Sequence, residues 1–202
     1  MNKAKIAVLV SGGGTNLQAL IDAQNNVLNS GSIELVISNK ENVYALERAK
    51  NNNISSVVIL KKHFPSQEQY ENEMIKVLES SGIDLIILAG FMSILSENFT
   101  SHFKNRIINV HPALIPSFCG KGYYGLKVHE AALEYGVKVT GATVHFVNEI
   151  PDGGQIILQK AVSVHENDTP ESLQRRVMEE AEWIILPEAA EYVCKNIIED
   201  KR

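Results

Sequence analysis

The sequence has few of the features that mark metal-binding, secreted or membrane proteins. Its 202 residues include only two cysteines, Cys119 and Cys194, which form no Cys-x-x-Cys motif and no arrangement typical of structural zinc. We therefore expect a reduced compartment. The longest apolar run, residues 85–95, spans 11 residues and is interrupted by a glycine and a serine, whereas a membrane helix needs about 20 residues. No signal-peptide pattern precedes the first apolar segment, which predicts a cytoplasmic protein.

The sequence also lacks any block of like charge. It has 19 lysines and arginines against 24 aspartates and glutamates, for a net charge of -5. This balance argues against nucleic acid or membrane as a main partner and favours small-molecule ligands. With 45% hydrophobic residues the chain can bury a full core, which predicts one domain over residues 1–202. We expect a monomer or a homodimer.

Apolar runs rich in valine and isoleucine alternate with segments of helical periodicity. We predict strands at residues 6–10, 33–37, 56–60, 84–89 and 107–110. We predict helices at residues 16–28, 43–51, 67–80 and 126–134. A repeated strand-helix-strand order is typical of an α/β protein with a doubly wound, mostly parallel sheet.

The pattern changes in the second half of the chain. Residues 139–147 and 155–164 are predicted to be extended on either side of a turn-rich connection, as an antiparallel addition to the sheet. Thr169 and Pro170 then provide a cap and a first helical position. We expect a final helix from there to about residue 196, bent near Pro187.

A glycine-rich loop, Ser-Gly-Gly-Gly-Thr-Asn at residues 11–16, joins the first strand to the first helix. At such a junction free backbone N–H groups and the positive helix end attract an anion. No Gly-Lys-Ser/Thr follows, and Leu17 stands where a dinucleotide site needs its third glycine. The loop therefore predicts a single phosphate held by Gly14, Thr15 and Asn16. The alternative is a tight turn that binds no ligand.

Asn109 and His111 lie two residues apart at the end of the fifth predicted strand, so their side chains project to the same side. A carboxamide and a protonated imidazole suit a carbonyl reaction, because both donate hydrogen bonds to an oxygen that becomes negative. A cationic histidine needs a nearby carboxylate, for which Asp152 is the candidate. The alternative is a structural histidine in an inert network.

The sequence contains no Gly-x-Ser-x-Gly nucleophile elbow, no His-Glu-x-x-His motif and no metal-ligand spacing. These absences favour direct group transfer without a covalent enzyme intermediate and without a metal.

Four motifs together resemble the glycinamide ribonucleotide formyltransferase family. The resemblance extends from residue 6 to about residue 187, and it depends on the order and spacing of the motifs rather than on any one of them. The motifs occupy residues 11–17, 88–92, 108–116 and 152–154.

The resemblance implies a Rossmann-like formyltransferase fold and a reaction in de novo purine biosynthesis. In that reaction 10-formyltetrahydrofolate, as co-substrate, donates its formyl group to the amine of 5'-phosphoribosylglycinamide. The family roles divide the chain into a phosphate-binding half, about 1–100, and a catalytic and folate-binding half, about 84–202. They imply phosphate binding by Gly14, Thr15 and Asn16, ribonucleotide binding by Glu182, catalysis by Asn109, His111 and Asp152, and folate binding by Gln67, Met92, Ser93, Ile94, Leu95 and Asn109.

The sequence departs from this family at two side chains and in the length of one loop. Many members carry arginines where this chain has Gln67 and Ser93, so the folate is expected to be held mainly through backbone contacts. The loop at residues 118–124 is expanded and rich in glycine and tyrosine. It is either a lid or a surface loop without catalytic consequence.

Four other functions compete with this interpretation. Methionyl-tRNA formyltransferase and the formyltetrahydrofolate hydrolase share the same catalytic fold. The length of this chain disfavours both, and its acidic net charge also disfavours the tRNA enzyme. A non-catalytic phosphosugar-binding module is disfavoured by the joint presence of Asn109, His111 and Asp152. A nicotinamide-dependent dehydrogenase is disfavoured by the missing dinucleotide fingerprint.

Overall fold

The structure is a computed structural model that describes residues 3–201, so residues 1, 2 and 202 of the predicted domain lie outside the described residues. Within this part of the chain, seven strands form one sheet. The strands are β1 (Ala4–Val10), β2 (Gly31–Ser38), β3 (Ser55–Val58), β4 (Leu85–Leu88), β5 (Ile107–His111), β6 (Val139–Phe146) and β7 (Ile156–Ser163).

Seven α-helices of residues 3–201 cover the sheet. They are α1 (Thr15–Ala23), α2 (Tyr44–Asn51), α3 (Gln67–Ser80), α4 (Glu97–His102), α5 (Leu126–Tyr135), α6 (Pro170–Val177) and α7 (Trp183–Asp200). A short 3₁₀ turn occupies Lys61–His63, and a π-helical turn, Met178–Glu182, joins α6 to α7. None of the described helices is long and apolar enough to cross a membrane.

The strand order is β3-β2-β1-β4-β5-β6-β7. The first five strands in this order pair in parallel, and β6 pairs antiparallel with both β5 and β7. This confirms the predicted α/β class, with its mostly parallel sheet and antiparallel addition. The chain turns in opposite directions from β1 and β4, which makes the carboxyl ends of these strands a switch point where ligands bind in open α/β sheets.

Helices pack on both faces of the sheet, which explains why β1 and β4 are almost uniformly apolar. Ile6 and Val8 of β1 face the hydrophobic core formed with α1 and α7. Ala7 and Leu9 face the other core, which contains Tyr70 of α3 and Phe99 of α4. Because both faces are packed, the strand ends cannot shift without disturbing two cores.

The boundaries of the helices and strands differ from the sequence predictions most clearly in three places. Helix α1 ends at Ala23 rather than near residue 28, because Asn25 adopts a left-handed conformation (φ 65°) and breaks the helix. Helix α4 was not predicted; it is only six residues long, and the side chain of Ser96 caps it by accepting a hydrogen bond from Phe99 N. The strand β3 ends at Val58, two residues early.

The final helix is irregular upstream of Pro187. The π-helical turn Met178–Glu182 precedes α7, and α7 continues through Pro187 to Asp200. The irregularity that the structure shows therefore lies upstream of the residue at which we expected a bend. Proline lacks an N–H and removes one helical hydrogen bond, and Pro187 lies near the start of α7, one turn after the π-helical turn has already interrupted the regular bonding.

The packing of α7 on the sheet predicts different reactivities for the two cysteines. Cys194 is fully buried in α7, and burial raises the pKa of its thiol to about 12. Cys119 is partly exposed. An excess of an aromatic disulfide reagent at pH 8 should modify one thiol in the native protein and two in guanidinium chloride, because the thiolate is the reactive form.

The Cys119→Ser variant is the control for this measurement. It should show no rapid reaction when native and one reactive thiol when unfolded. Rapid reaction of this native variant would show that α7 does not protect Cys194.

Candidate active site

The carboxyl ends of the central strands open into a cleft of about 630 Å³. One side carries Asn109 and His111 from β5, and the facing side carries Gln174 and Met178 from α6 and the π-helical turn. A second, smaller cavity of about 130 Å³ shares Asn109 with the cleft and extends along residues 93–95. The described chain therefore offers two adjoining spaces that meet at Asn109.

The glycine-rich loop enters α1 through Gly14, which has φ 71° and is the N-cap residue. A Cβ added to Gly14 would lie 2.7 Å from Ala45 Cβ, so both the backbone conformation and the packing require glycine. The first N–H groups of an α-helix have no intrahelical partner. Those of Thr15 and Asn16 are in this position and can bind an anion.

The Asn16 side chain points to a carboxylate. Asn16 Nδ2 donates a 2.7 Å hydrogen bond to Glu182 Oε2, and both residues are buried. The Thr15 hydroxyl lies 3.9 Å from Met178 Sδ. The side chains of Thr15 and Asn16 therefore contact other side chains, and the backbone N–H groups remain for a phosphate.

Burial raises the pKa of Glu182 to about 7, although the hydrogen bond from Asn16 opposes the shift. Glu182 lines the cleft at 6% exposure. It can therefore exchange between a neutral and an ionised form near neutral pH.

Asp152 lies between two histidines. It occupies the turn that follows β6, with a left-handed backbone (φ 57°). Its Oδ2 is 3.5 Å from His111 Nδ1, and its Oδ1 is 3.7 Å from His145 Nε2. The structure thus brings Asp152 next to His111, as the sequence predicted, and adds His145.

His145 contacts Asn109 directly. The two residues are register partners on β6 and β5, and Asn109 Nδ2 is 3.2 Å from His145 Nε2. His145 Nδ1 lies 2.7 Å from the Phe146 carbonyl oxygen, which assigns the proton to Nδ1 and leaves Nε2 to accept from Asn109. One amide hydrogen of Asn109 is thereby held, and the other is free to bind a ligand.

The expanded loop contacts two of the three predicted catalytic side chains. His111 Nε2 donates a 2.8 Å hydrogen bond to the Phe118 carbonyl oxygen, and Gly120 N donates one of 2.8 Å to Asp152 Oδ2. Phe118 itself has a left-handed backbone conformation, with φ 47°. These contacts favour the lid over the inert surface loop.

The electrostatics of His111 differ from the sequence expectation. We expected Asp152 to keep His111 cationic, but burial outweighs the carboxylate and lowers the pKa of His111 below its usual value. Asp152 and the Phe118 carbonyl oppose this shift, and His145 adds to it. His111 is therefore neutral at pH 7 in the ligand-free protein.

The predicted folate segment is exposed where it borders the cleft. Met92 and Ile94 are 52% and 68% exposed, respectively, whereas Leu95 is buried. Ser93 Oγ accepts a 2.9 Å hydrogen bond from Asn39 Nδ2. The segment therefore offers an apolar surface whose backbone is held from behind.

Gln67 supports the same segment through a buried carboxylate. Its Nε2 donates to Glu71 Oε1 at 2.6 Å and lies 3.3 Å from the Ile94 carbonyl oxygen. Glu71 also accepts hydrogen bonds from the backbone N and the hydroxyl of Ser96. Gln67 thus belongs to a hydrogen-bond network that holds residues 93–96 in place. The sequence alone did not reveal this supporting role of Gln67.

The described residues contain no cluster of three or more histidine, cysteine or carboxylate side chains that could hold a metal ion.

Comparisons with known proteins agree with this geometry. A family model described as formyl transferase matches residues 4–190. The phosphoribosylglycinamide formyltransferase of Haemophilus influenzae is 43% identical over 183 residues, which cover 91% of this chain and 84% of that protein. The chain belongs to the phosphoribosylglycinamide formyltransferase family. The family and enzyme class predicted from the sequence are confirmed.

Two further relatives show how this formyltransferase chain relates to longer proteins and to solved structures. Glycinamide ribonucleotide transformylase 1 from Symbiobacterium toebii superposes with a TM-score of 0.90 at 40% identity, covering 96% of this chain and 89% of that one. The human trifunctional purine biosynthetic protein adenosine-3 is 45% identical over 197 residues. The match covers 98% of this chain but spans only 19% of the human protein.

Sequence reasoning missed His145 as part of the formyltransferase site. His145 lies in a mostly apolar strand, and nothing in the local pattern distinguishes it from a packed histidine. The burial of His145 in β6 is visible only in the structure. It becomes informative once the β5–β6 register places His145 opposite Asn109.

Replacement of Glu182 by glutamine tests its buried ionisation. Glu182→Gln should raise the free energy of unfolding at pH 8 by roughly 1–3 kcal/mol, because the wild-type protein must keep an ionised carboxylate buried. The folded pKa of about 7 exceeds the ordinary value of 4.5, so wild-type stability falls as the pH rises through this interval.

Denaturant titrations at pH 4.5 and pH 8 measure the difference. The stabilisation should be much smaller at pH 4.5, where Glu182 is protonated in the folded state and about half protonated in the unfolded state. An equal effect at the two pH values would contradict the assignment.

Proposed function

We propose that this formyltransferase transfers the formyl group of 10-formyltetrahydrofolate to the amine of 5'-phosphoribosylglycinamide in purine biosynthesis. The products are formylglycinamide ribonucleotide and tetrahydrofolate. The observation that carries the proposal is the cluster at the end of β5, where Asn109, His111 and Asp152 lie within reach of one reacting carbonyl.

The ribonucleotide occupies the larger cleft. Its phosphate binds the N–H groups of Gly14, Thr15 and Asn16, and its ribose approaches Glu182. Asn16, Glu182 and Asn109 line the same cleft, so a ribonucleotide bound at the loop directs its amine at Asn109. The Asn16–Glu182 hydrogen bond joins the proposed phosphate-binding half, about 1–100, to the catalytic and folate-binding half, about 84–202.

The folate lies along the segment at residues 92–95, which borders both the larger cleft and the smaller cavity. Its pterin lies against the backbone of Met92, Ser93, Ile94 and Leu95, and its formyl group points to Asn109. Gln67 acts by holding this segment. The absence of arginine at positions 67 and 93 makes the backbone the main source of hydrogen bonds to the pterin.

The reaction is a direct attack of the amine nitrogen on the formyl carbon. The new C–N bond forms while the carbonyl oxygen becomes negative, and the free amide hydrogen of Asn109 and the Nε2–H of His111 donate to that oxygen. The oxygen replaces the Phe118 carbonyl as acceptor for His111. Loop 118–124 therefore acts as a lid that yields to the substrate.

Asp152 takes part in the proton transfers of this reaction. When the substrates bind, His111 takes up a proton from solvent at Nδ1, and Asp152, 3.5 Å away, stabilises the resulting cation. The oxyanion then re-forms the carbonyl as the C–N bond to folate N10 breaks, and the proton lost by the amine reaches N10 through water held at Asp152. His111 returns its proton to solvent when the products leave. No side chain attacks the formyl carbon, so no formylated enzyme forms.

We also propose that the enzyme works in the cytoplasm as a monomer or homodimer, with no nucleic acid or membrane partner and no metal. The net charge of -5 supports small-molecule substrates.

An assay with each substrate omitted in turn tests the proposed function. The pure protein should release tetrahydrofolate only when both formyl-folate and glycinamide ribonucleotide are present. Asn109→Ala should lower the catalytic rate by about 10²–10³ while ribonucleotide binding is kept, since one preorganised oxyanion donor is lost. Folate release without the ribonucleotide would instead indicate a hydrolase.

The Asp152→Asn variant tests the proton-handling step. It preserves shape but removes the charge that raises the pKa of His111, so the rate should fall by about 10²-fold or more. Activity falls at high pH as His111 loses its proton. In Asp152→Asn this fall should occur at lower pH than in the wild-type protein. Steady-state rates between pH 5.5 and 9 measure both effects.

Asp22→Asn is the matched control, because Asp22 lies on the exposed side of α1. Its profile should coincide with that of the wild-type protein. Near wild-type activity of Asp152→Asn across neutral pH would contradict the mechanism.

A further inference from the structure

Helix α2 binds two consecutive carbonyl groups of the glycine-rich loop. Ala45 N donates a 3.2 Å hydrogen bond to the Gly12 carbonyl oxygen. Arg48 Nε donates one of 2.9 Å to the Gly13 carbonyl oxygen. Neither Ala45 nor Arg48 lines the cleft, whereas Asn16 of the same loop does, so the contacts of α2 with the loop lie outside the ligand space.

The Arg48 guanidinium is held in one place. Its Nη1 donates a 2.9 Å hydrogen bond to Gln18 Oε1 on α1, and its Cζ lies 4.7 Å from the centre of the Tyr44 ring. A Cβ added at Gly14 would lie 3.4 Å from Arg48 Cδ, so the arginine packs directly against the loop. Among residues 3–201, no carboxylate forms an ion pair with it within 4.0 Å.

Because the peptide group is planar, these contacts also fix the direction of the N–H groups on the other side of the loop. In a trans peptide the C=O of one residue and the N–H of the next point in opposite directions. A Gly13 carbonyl held toward α2 therefore directs the Gly14 N–H away from α2, and the Gly12 carbonyl does the same for the Gly13 N–H. Glycine has wide backbone freedom, so these peptides need an external contact to keep this orientation.

We propose that Arg48 is a positioning residue of the phosphate site. By holding the Gly13 carbonyl it orients the adjacent N–H groups toward the phosphate of the ribonucleotide, and its unpaired charge adds positive potential behind the loop. Arg48 acts through the loop and does not touch the substrate. The inference rests on the proposed function, since it assumes that the anion in the cleft is the ribonucleotide phosphate.

The test compares two substrates that differ only in the phosphate. For wild-type protein and Arg48→Gln, kcat/KM is measured with glycinamide ribonucleotide and with glycinamide riboside. The ratio of the two values should fall about tenfold in Arg48→Gln, because only the phosphate-dependent part of binding is lost. The ratio for Arg48→Lys, which keeps the charge but not the two-pronged geometry, should lie between the ratios of the wild-type protein and Arg48→Gln.

Arg106→Gln is the matched control. Arg106 also lies over an aromatic ring, with its Cζ 5.2 Å from the centre of the Phe103 ring, but it precedes β5 at the opposite end of the sheet. Its substrate ratio should equal that of the wild-type protein.

The possible outcomes separate this inference from the proposed function. A general packing defect in Arg48→Gln would lower both values of kcat/KM together and leave the ratio unchanged, which would overturn the inference. Wild-type protein that formylates neither substrate would overturn the proposed function. A reduced ratio in Arg48→Gln with an unchanged ratio in Arg106→Gln supports the positioning role, and urea titration of both variants verifies that each is folded.

Discussion

Antiparallel pairing between β5 and β6 determines where every reactive side chain of the site lies. The register sets Asn109 opposite His145 and leads the chain from β6 into the turn that carries Asp152. A shift of one residue would turn the histidine to the other face of the sheet. The parallel half of the sheet supplies the phosphate loop and the strand end, but only this antiparallel pair brings the carboxylate to His111.

Burial and charge oppose each other throughout the cleft. Burial lowers the pKa of His111 although Asp152 is close, and it raises the pKa of Glu182 although Asn16 donates to it. At pH 7 His111 is consequently mostly neutral and Glu182 is only partly ionised in the ligand-free protein. A site of this kind can gain charge when polar substrates enter, so part of the electrostatic stabilisation develops during the reaction.

The two ends of the cleft are supported by different means. At the phosphate end, α2 holds carbonyl groups of a glycine loop that has little intrinsic rigidity. At the folate end, the buried Glu71 ties Gln67 and Ser96 to an otherwise exposed segment. At the phosphate end the groups that face the ligand are backbone N–H groups, and at the folate end the exposed Met92 and Ile94 add an apolar surface. In both places other side chains hold this surface in position. Precise sites often depend on such supporting contacts.

Local sequence patterns were sufficient for the fold class, the glycine-rich loop and the shared side of Asn109 and His111, whereas Asp152 was chosen because a cationic histidine needs a carboxylate. Strand and helix periodicity, glycine content and a two-residue spacing on a strand all act over short stretches of chain, so they can be read directly. Long-range contacts set the rest. His145 became part of the site through strand register, the Phe118 carbonyl through a loop that folds back on His111, and Arg48 through the packing of α2 on α1. The neutral state of His111 also depends on how deeply the whole chain buries it, which no local pattern encodes.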